Sequence, residues 1–365
     1  MATQVSEGER LDPAIFRLPV DRIRRGYYSD AYFAYTKVLL EQEDHHPRVT
    51  MQVFQKKHSL LGGIDEAIAI LKLCSGRDDD GAWIPGWDEL VVHALHEGDE
   101  IAPRETVMTI EGDYSLFAHL ETVYLGCLAR RSLIMRNVKE VVQAARGKQI
   151  FYFPARHDHW LVQTGDGWSA HVAGAIGVST DAQASWWGGR GMGTVPHGLI
   201  AAYAGDTVKA AKVFADRYYR EMSITVLVDW DNDSVRTALE VAEALGPKLW
   251  GVRLDTSEDL VDRSLLGEMG GFKPTGVTPR LVEKVRAALD GAGYADVHIV
   301  ASGGFTADRI REFEAAEVPV DAYGVGSSLI RGDNDFTADV VIVDGRPCAK
   351  VGRGYAPNPR LVRVE

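Results

Sequence analysis

Short apolar, β-rich runs alternate with amphipathic stretches through the second half of the chain. ITVLVD (224–229) precedes the helical stretch Ser234–Leu245. LWGVRLD (249–255) leads into Ser257–Leu266, VHIVASGG (297–304) leads into Thr306–Ala316, and AYGVGSSL (322–329) closes the series. Strands that recur between amphipathic helices predict a parallel sheet built from βαβ crossovers. Each run ends in polar or glycine residues: Asp229, Asp255, Ser302-Gly303-Gly304 and Gly324-Val325-Gly326. Ligands bind at the C-terminal ends of strands in open α/β sheets and α/β barrels, so four such endings in a row predict the rim of a site.

The first 150 residues have a mixed texture. The pattern predicts a helix over Asp30–Gln42, a strand over Val49–Gln55, and a helix with Ile64, Ile68, Ile70 and Leu71 on one apolar side. It then predicts a loop over 75–88, strand-like structure near Glu105–Ile110, and a helix from Ser115 to Arg130 that carries Leu116, Leu120, Val123, Tyr124 and Cys127 at helical spacing. His93 and His96 read as a surface helix pair, and Asp78–Asp80 as a solvated loop. The tail from Phe336 onward reads as a hairpin around Asp344-Gly345, closer in texture to the first part than to the strand–helix series. The expected fold class is therefore α/β. An irregular (β/α) barrel occupies 136–335, and residues 1–135, completed by 336–365, form a second α/β domain. A chain of 365 residues has room for two domains.

Composition narrows the function classes. Lys and Arg total 40 against 52 Asp and Glu, a net charge of −12, which argues against a nucleic-acid or anionic-membrane partner but leaves a small anionic ligand open. Cys74, Cys127 and Cys348 are widely spaced and form no CxxC, which excludes a disulfide scaffold or cysteine zinc site and points to a reducing, cytoplasmic setting. MATQVSEGER shows no apolar signal region, and no apolar run reaches the ~18 residues of a membrane span.

Four segments carry candidate chemistry. In ASGGF (301–305) and YGVGSS (323–328), glycines follow a β run, so backbone N–H groups can approach and hold a phosphate. In GTVPH (193–197), Thr194 and Val195 end a short strand and Pro196 suits the first helical position. His197 then sits in a first helical turn, where it can titrate near neutral pH. RHDH (156–159) with His171 invites a metal reading, but no third histidine falls at a telling spacing, and Arg156 stands out as a fixed cation beside a strand end. In VRLDTSED (252–259), Arg253 and Asp255 alternate along a strand and share a face. They form a structural ion pair, or they read a carboxylate with Asp255 on a ribose hydroxyl or Mg²⁺; both readings stay open. Trp83, Trp87, Trp186 and Trp187 read as core or interface packing.

Taken in order, these segments resemble the nicotinate phosphoribosyltransferase family, the type II phosphoribosyltransferases, over roughly residues 20–355. SDAYF (29–33), EGDEIAPRETVMTIEGDYSLFAHLET (97–122), FPAR (153–156), GTVPH, VRLDTSED, ASGGF and YGVGSS are each similar to a family motif. The resemblance implies a nicotinate ring between aromatics, with Phe153 on one face and Tyr32 reaching in from a partner subunit of a homodimer. It implies Arg253 on the nicotinate carboxylate, and Arg156 with Thr194 and Ser302 on the substrates. Gly303, Gly304, Gly324 and Gly326 would hold the 5-phosphate of phosphoribosyl pyrophosphate. Asp229 and Asp255 would steer the ribose and a Mg²⁺-pyrophosphate. His197 would be the histidine that ATP phosphorylates in many relatives. The implied reaction joins nicotinate to phosphoribosyl pyrophosphate and releases pyrophosphate in NAD salvage. The chain departs from the family at Thr256-Ser257, where many relatives have Ser-Gly.

Three rivals remain. Quinolinate as acceptor would need a denser cationic cluster than Arg156, Arg190 and Arg253, and nicotinamide would replace the carboxylate contact by an amide contact. A non-catalytic nucleotide-binding paralogue would keep the glycine loops and lose turnover. A metal-dependent hydrolase would use His157, Asp158, His159 and His171.

Overall fold

The computed structural model describes residues 9–365, and the reading of the N-terminal segment lies, up to Gly8, outside them. The chain divides into two compact units, one of Met1–Arg136 with Gly332–Glu365 and one of Asn137–Arg331.

The first unit is built on a six-stranded sheet whose paired strands all run antiparallel. At its centre, Arg48–Gln55 pairs with Thr106–Asp113 on one side and with Phe336–Val343 on the other. The tail adds Arg346–Pro347 at one edge and Val362–Arg363 at the other. Met51, Val53, Val92, Met108 and Ile110 pack with Ile64, Ile68, Leu71, Tyr124 and Leu128 into one apolar core.

Several elements differ from expectation. The helix Ile64–Cys74 is buried on nearly every side, Asp65 and Glu66 included, because both carboxylates find cations. Residues 75–88 are no loop: Gly76–Asp79 and Ala82–Pro85 form a hairpin. Its two turn residues, Asp80 and Gly81, both have left-handed φ values (47° and 86°), the conformation that matches a tight hairpin to strand twist. His93 lies on the strand Val91–Ala94 and His96 in the turn after it, so they share no helix. The region 115–130 begins with two 3₁₀ turns and becomes α-helical only at Glu121, continuing to Ala144.

The second unit contains six parallel strands: β1 (Gln149–Tyr152), β2 (Gly177–Val178), β3 (Ile224–Leu227), β4 (Leu249–Leu254), β5 (His298–Ala301) and β6 (Ala322–Val325). They pair in the order β3-β4-β5-β6-β1-β2. The segment 192–195 links the two edges. Met192 N–H donates to Val178 O (2.7 Å), Val195 N–H donates to Thr225 O (2.9 Å), and Val195 bridges Val226 in parallel. An irregular barrel results, as the strand–helix rhythm predicts. One crossover differs. Ser257–Leu266 is loop, passing into a 3₁₀ stretch at Arg263–Glu268, and the helix before β5 is Pro279–Gly291. Thr278 caps that helix, its hydroxyl accepting from Leu281 N–H, and Pro279 takes the first helical position. Among the described residues no helix is long and apolar enough to cross a membrane.

Candidate active site

A cavity of about 950 Å³ opens at the C-terminal ends of the barrel strands. Arg253, near the end of β4, lies in its wall. Its guanidinium is fixed on three sides: Nε donates to Ser302 Oγ (2.7 Å), Nη1 donates to Thr194 Oγ1 (3.4 Å), and Nη2 lies 3.3 Å from Asp255 Oδ1. The cation also sits over the Phe153 ring, 5.1 Å from its centroid. Alternation along β4 brings Arg253 and Asp255 to one face, so the ion pair and the cavity-facing cation are both realised. Ser302 is fully buried; its hydroxyl also donates to Asp255 Oδ1 (2.7 Å) and lies 2.9 Å from Leu254 O.

Phe153 follows β1 and stacks on Phe151 with ring centroids 5.8 Å apart. Gly324 is required beside it, since a Cβ there would stand 2.7 Å from Phe153 Cε2. Gly326 faces His157 in the same way, at 3.0 Å. Gly303 and Gly304 follow β5 with left-handed φ values of 87° and 73° and lead to the helix Ala307–Ala315. Both glycine loops line the cavity, as do Arg156 and Thr194.

His197 is the first residue of the helix His197–Ala202, with Pro196 one position earlier than predicted, at the N-cap. His197 Nε2 lies 3.0 Å from Asp229 Oδ1. That hydrogen bond, helped by the charges of Asp229 and Asp255 and opposed by burial and Arg253, holds the imidazole pKa above its ordinary value. His157 is shifted the other way, by burial and by Arg156 and Arg331. The hydrolase constellation is not assembled: His159 stacks on Trp160 and His171 on Trp187, and no metal-binding group of three His, Cys, Asp or Glu exists among the described residues. Trp186 is buried, and Trp83 packs beside His119 beneath Arg24, which fits the packing reading. Tyr32 stands exposed on the first unit's helix Ala31–Gln42, its hydroxyl 3.3 Å from Asp30 Oδ2.

The sequence reading missed Met192, Glu258 and Arg331, which also line the cavity. It missed Arg309 as well, which binds the Gly303 loop from behind. None of these stands at a strand end, so periodicity gives no signal for them. Thr256, at the departure from the family motif, is buried and its hydroxyl finds no partner among the described residues.

An α/β barrel with an arginine over an aromatic ring and two glycine loops at its rim defines a type II phosphoribosyltransferase fold. Comparison with known proteins makes this specific. The family described as quinolinate phosphoribosyl transferase, N-terminal domain, matches residues 30–132. Nicotinate phosphoribosyltransferase pncB2 of Mycobacterium tuberculosis is 30% identical over 278 residues, 75% of this chain and 56% of that protein. The solved structure titled nicotinate-nucleotide pyrophosphorylase from Pyrococcus furiosus is 32% identical with a TM-score of 0.78, covering 95% of this chain and 85% of that one. Human nicotinic acid phosphoribosyltransferase shares the fold, with a TM-score of 0.69 at 16% identity over 90% of this chain and 77% of that one. The chain belongs to the nicotinate phosphoribosyltransferase family. It spans about half the length of the curated relatives it matches.

Proposed function

We propose that the chain is a cytoplasmic nicotinate phosphoribosyltransferase that joins nicotinate to phosphoribosyl pyrophosphate in NAD salvage. The observation that carries this reading is Arg253, locked by Ser302, Thr194 and Asp255 and held over Phe153 between two glycine loops. A pyridine ring lies against Phe153 and its carboxylate meets the free N–H edge of Arg253, a charge-assisted contact. The 5-phosphate rests on the amides of the Gly303-Gly304 and Gly324–Gly326 loops. The pyridine nitrogen forms a bond to C1 of the ribose as the bond from C1 to the pyrophosphate oxygen breaks. The protein's task is alignment and neutralisation of the leaving group.

The donor set fits Mg²⁺. Asp229 and Asp255 each engage neighbours through Oδ1, and Mg²⁺ is held by one or two carboxylates together with substrate phosphates rather than by an all-protein cage. Bound Mg²⁺ would neutralise pyrophosphate charge. ATP coupling would act through His197: Asp229 holds Nε2, which leaves Nδ1 as the nitrogen to be phosphorylated. A homodimer in which Tyr32 of one subunit closes the ring pocket of the other completes the reading, supported by that residue's exposure.

The test is pyrophosphate release from phosphoribosyl pyrophosphate and Mg²⁺ with nicotinate, nicotinamide or quinolinate, each with and without ATP. Release with nicotinate is the expected outcome. Release with quinolinate alone would move the chain to the other acceptor. Silence with all three would leave a nucleotide-binding paralogue.

A further inference from the structure

The Gly303-Gly304 loop is held from behind by a cation that faces no substrate. Arg309, in the first turn of the helix Ala307–Ala315, donates from Nη1 to Gly303 O (2.9 Å) and from Nη2 to Val277 O (2.6 Å). Its guanidinium lies over Phe305 at 4.5 Å and near Phe313 at 5.9 Å from the ring centroids. Among the described residues it forms no ion pair. A Cβ at Gly304 would stand 3.6 Å from Nη1, so the cation reaches the underside of the left-handed glycine pair. It does not line the cavity. A forked donor that ties the Gly303 carbonyl to that of Val277, just before the helix Pro279–Gly291, fixes both the tilt of the Gly303 peptide and the gap to Val277. The direction of the next amides follows from that tilt.

We propose that Arg309 is a positioning residue for phosphate: its two-carbonyl bridge sets the Gly303-Gly304 amides toward the 5-phosphate and places a positive charge beneath them. The inference rests on the phosphoribosyl reading of these loops. It assigns a separate determinant of affinity for the phosphate half of the site, outside the cavity lining.

The experiment is calorimetric titration of ribose 5-phosphate into wild-type protein, Arg309→Met and Arg309→Lys, with nicotinate KM and melting temperature measured in parallel. Methionine keeps the stem over Phe305 and removes both the donors and the charge. Lysine keeps the charge but loses the fork. Arg309→Met is expected to weaken ribose 5-phosphate at least tenfold while nicotinate KM stays within about twofold, and Arg309→Lys is expected to fall between. Ribose 5-phosphate bound equally by wild type and variants overturns the inference, and so does an equal loss for both ligands. If Arg309→Met does not fold, Arg309→Lys alone decides: a threefold or greater loss confined to ribose 5-phosphate supports the role, and none overturns it. Wild-type protein that does not bind ribose 5-phosphate would remove the proposed function together with the inference. Unchanged affinity in the variants removes the inference alone.

Discussion

The two units bury polar groups in opposite ways. In the barrel the polar side chains that matter stand at strand ends, where the chain leaves the sheet and a cavity receives them. In the antiparallel unit they lie inside elements and are neutralised by distant partners. Asp65 accepts from Arg10 Nη1 (2.9 Å) and from Leu11 N–H (3.0 Å), and Glu66 pairs with Arg131 at 3.1 Å. Glu97 accepts from the N–H groups of Gly63 (2.8 Å) and Ile64 (3.0 Å) at the start of the same helix. Burial and the charge of Asp65 push the Glu97 pKa up. The first arrangement leaves charge available for a ligand, and the second consumes it in holding a helix. Changes in the first unit should therefore appear in stability, and changes at the barrel rim in substrate constants.

The sharpest way to break this comparison is Asp65→Ala. It removes the carboxylate from Arg10 Nη1 and from the Leu11 N–H, leaving Arg10 only the Ala94 and Leu95 carbonyls, and breaking a buried pair costs about 3 kcal/mol. Urea unfolding should show that loss while nicotinate KM stays within twofold. A large KM change with little loss of stability would show that the buried network serves the site.

At the rim the expected signature is reversed. If Arg253 holds the nicotinate carboxylate as proposed, Arg253→Met removes a charge-assisted contact worth about 1.5–3 kcal/mol, which corresponds to a rise of about 10- to 150-fold in nicotinate KM. Ser302→Ala leaves the cation in place but removes the acceptor on Nε, at a cost of about 1 kcal/mol, or about fivefold in the same constant. Steady-state kinetics with each substrate varied in turn checks both. A loss that falls on phosphoribosyl pyrophosphate instead of nicotinate would move the carboxylate site away from Arg253.

The same contrast explains what could be read without coordinates. In the barrel, topology carries Asp229, Arg253, Ser302 and Gly324 to one rim, because parallel strands share an end. A local pattern was therefore enough to name them. In the first unit, Arg10 and Asp65 are 55 residues apart, and no local pattern links them. Ile64, Ile68, Ile70 and Leu71 mark one apolar side of the helix Ile64–Cys74, but nothing local shows that Asp65 and Glu66 meet Arg10 and Arg131. Two local signals do mark the departures: Asp80-Gly81 between β-prone runs marks the hairpin, and Thr278-Pro279 marks the start of the helix Pro279–Gly291. Within Ser257–Leu266, Leu260 lies exposed in a loop and Leu266 exposed on the 3₁₀ turn Arg263–Glu268, so neither anchors a helix to the core. Arg309 left no signal, because its two carbonyl partners lie on loops whose course the sequence does not reveal.

The smallest effect falls on the one titrating pair at the rim. Asp229 raises the His197 pKa chiefly by its hydrogen bond, so the imidazolium persists above the ordinary 6.5. Asp229→Asn keeps the shape and removes the charge, and the pKa should fall back toward that value. NMR titration of the histidine ring reads this directly. The linked stability has a definite sign. With the folded pKa raised, the pair stabilises the protein fully below about 6.5 and loses that contribution as pH rises through the folded value. Wild type and Asp229→Asn should therefore differ in melting temperature below pH 6.5 and converge above the folded pKa. The difference should be slight, because His197 is 41% exposed and water screens the pair. A phosphoryl acceptor must be the neutral imidazole, so if His197 accepts phosphate from ATP as proposed, turnover with ATP should rise through this same pKa and begin at lower pH in the variant. An unshifted pKa in Asp229→Asn would mean that Asp229 orients His197 without tuning it, and the barrel rim would then hold its charges in place, as the first unit does, without adjusting them.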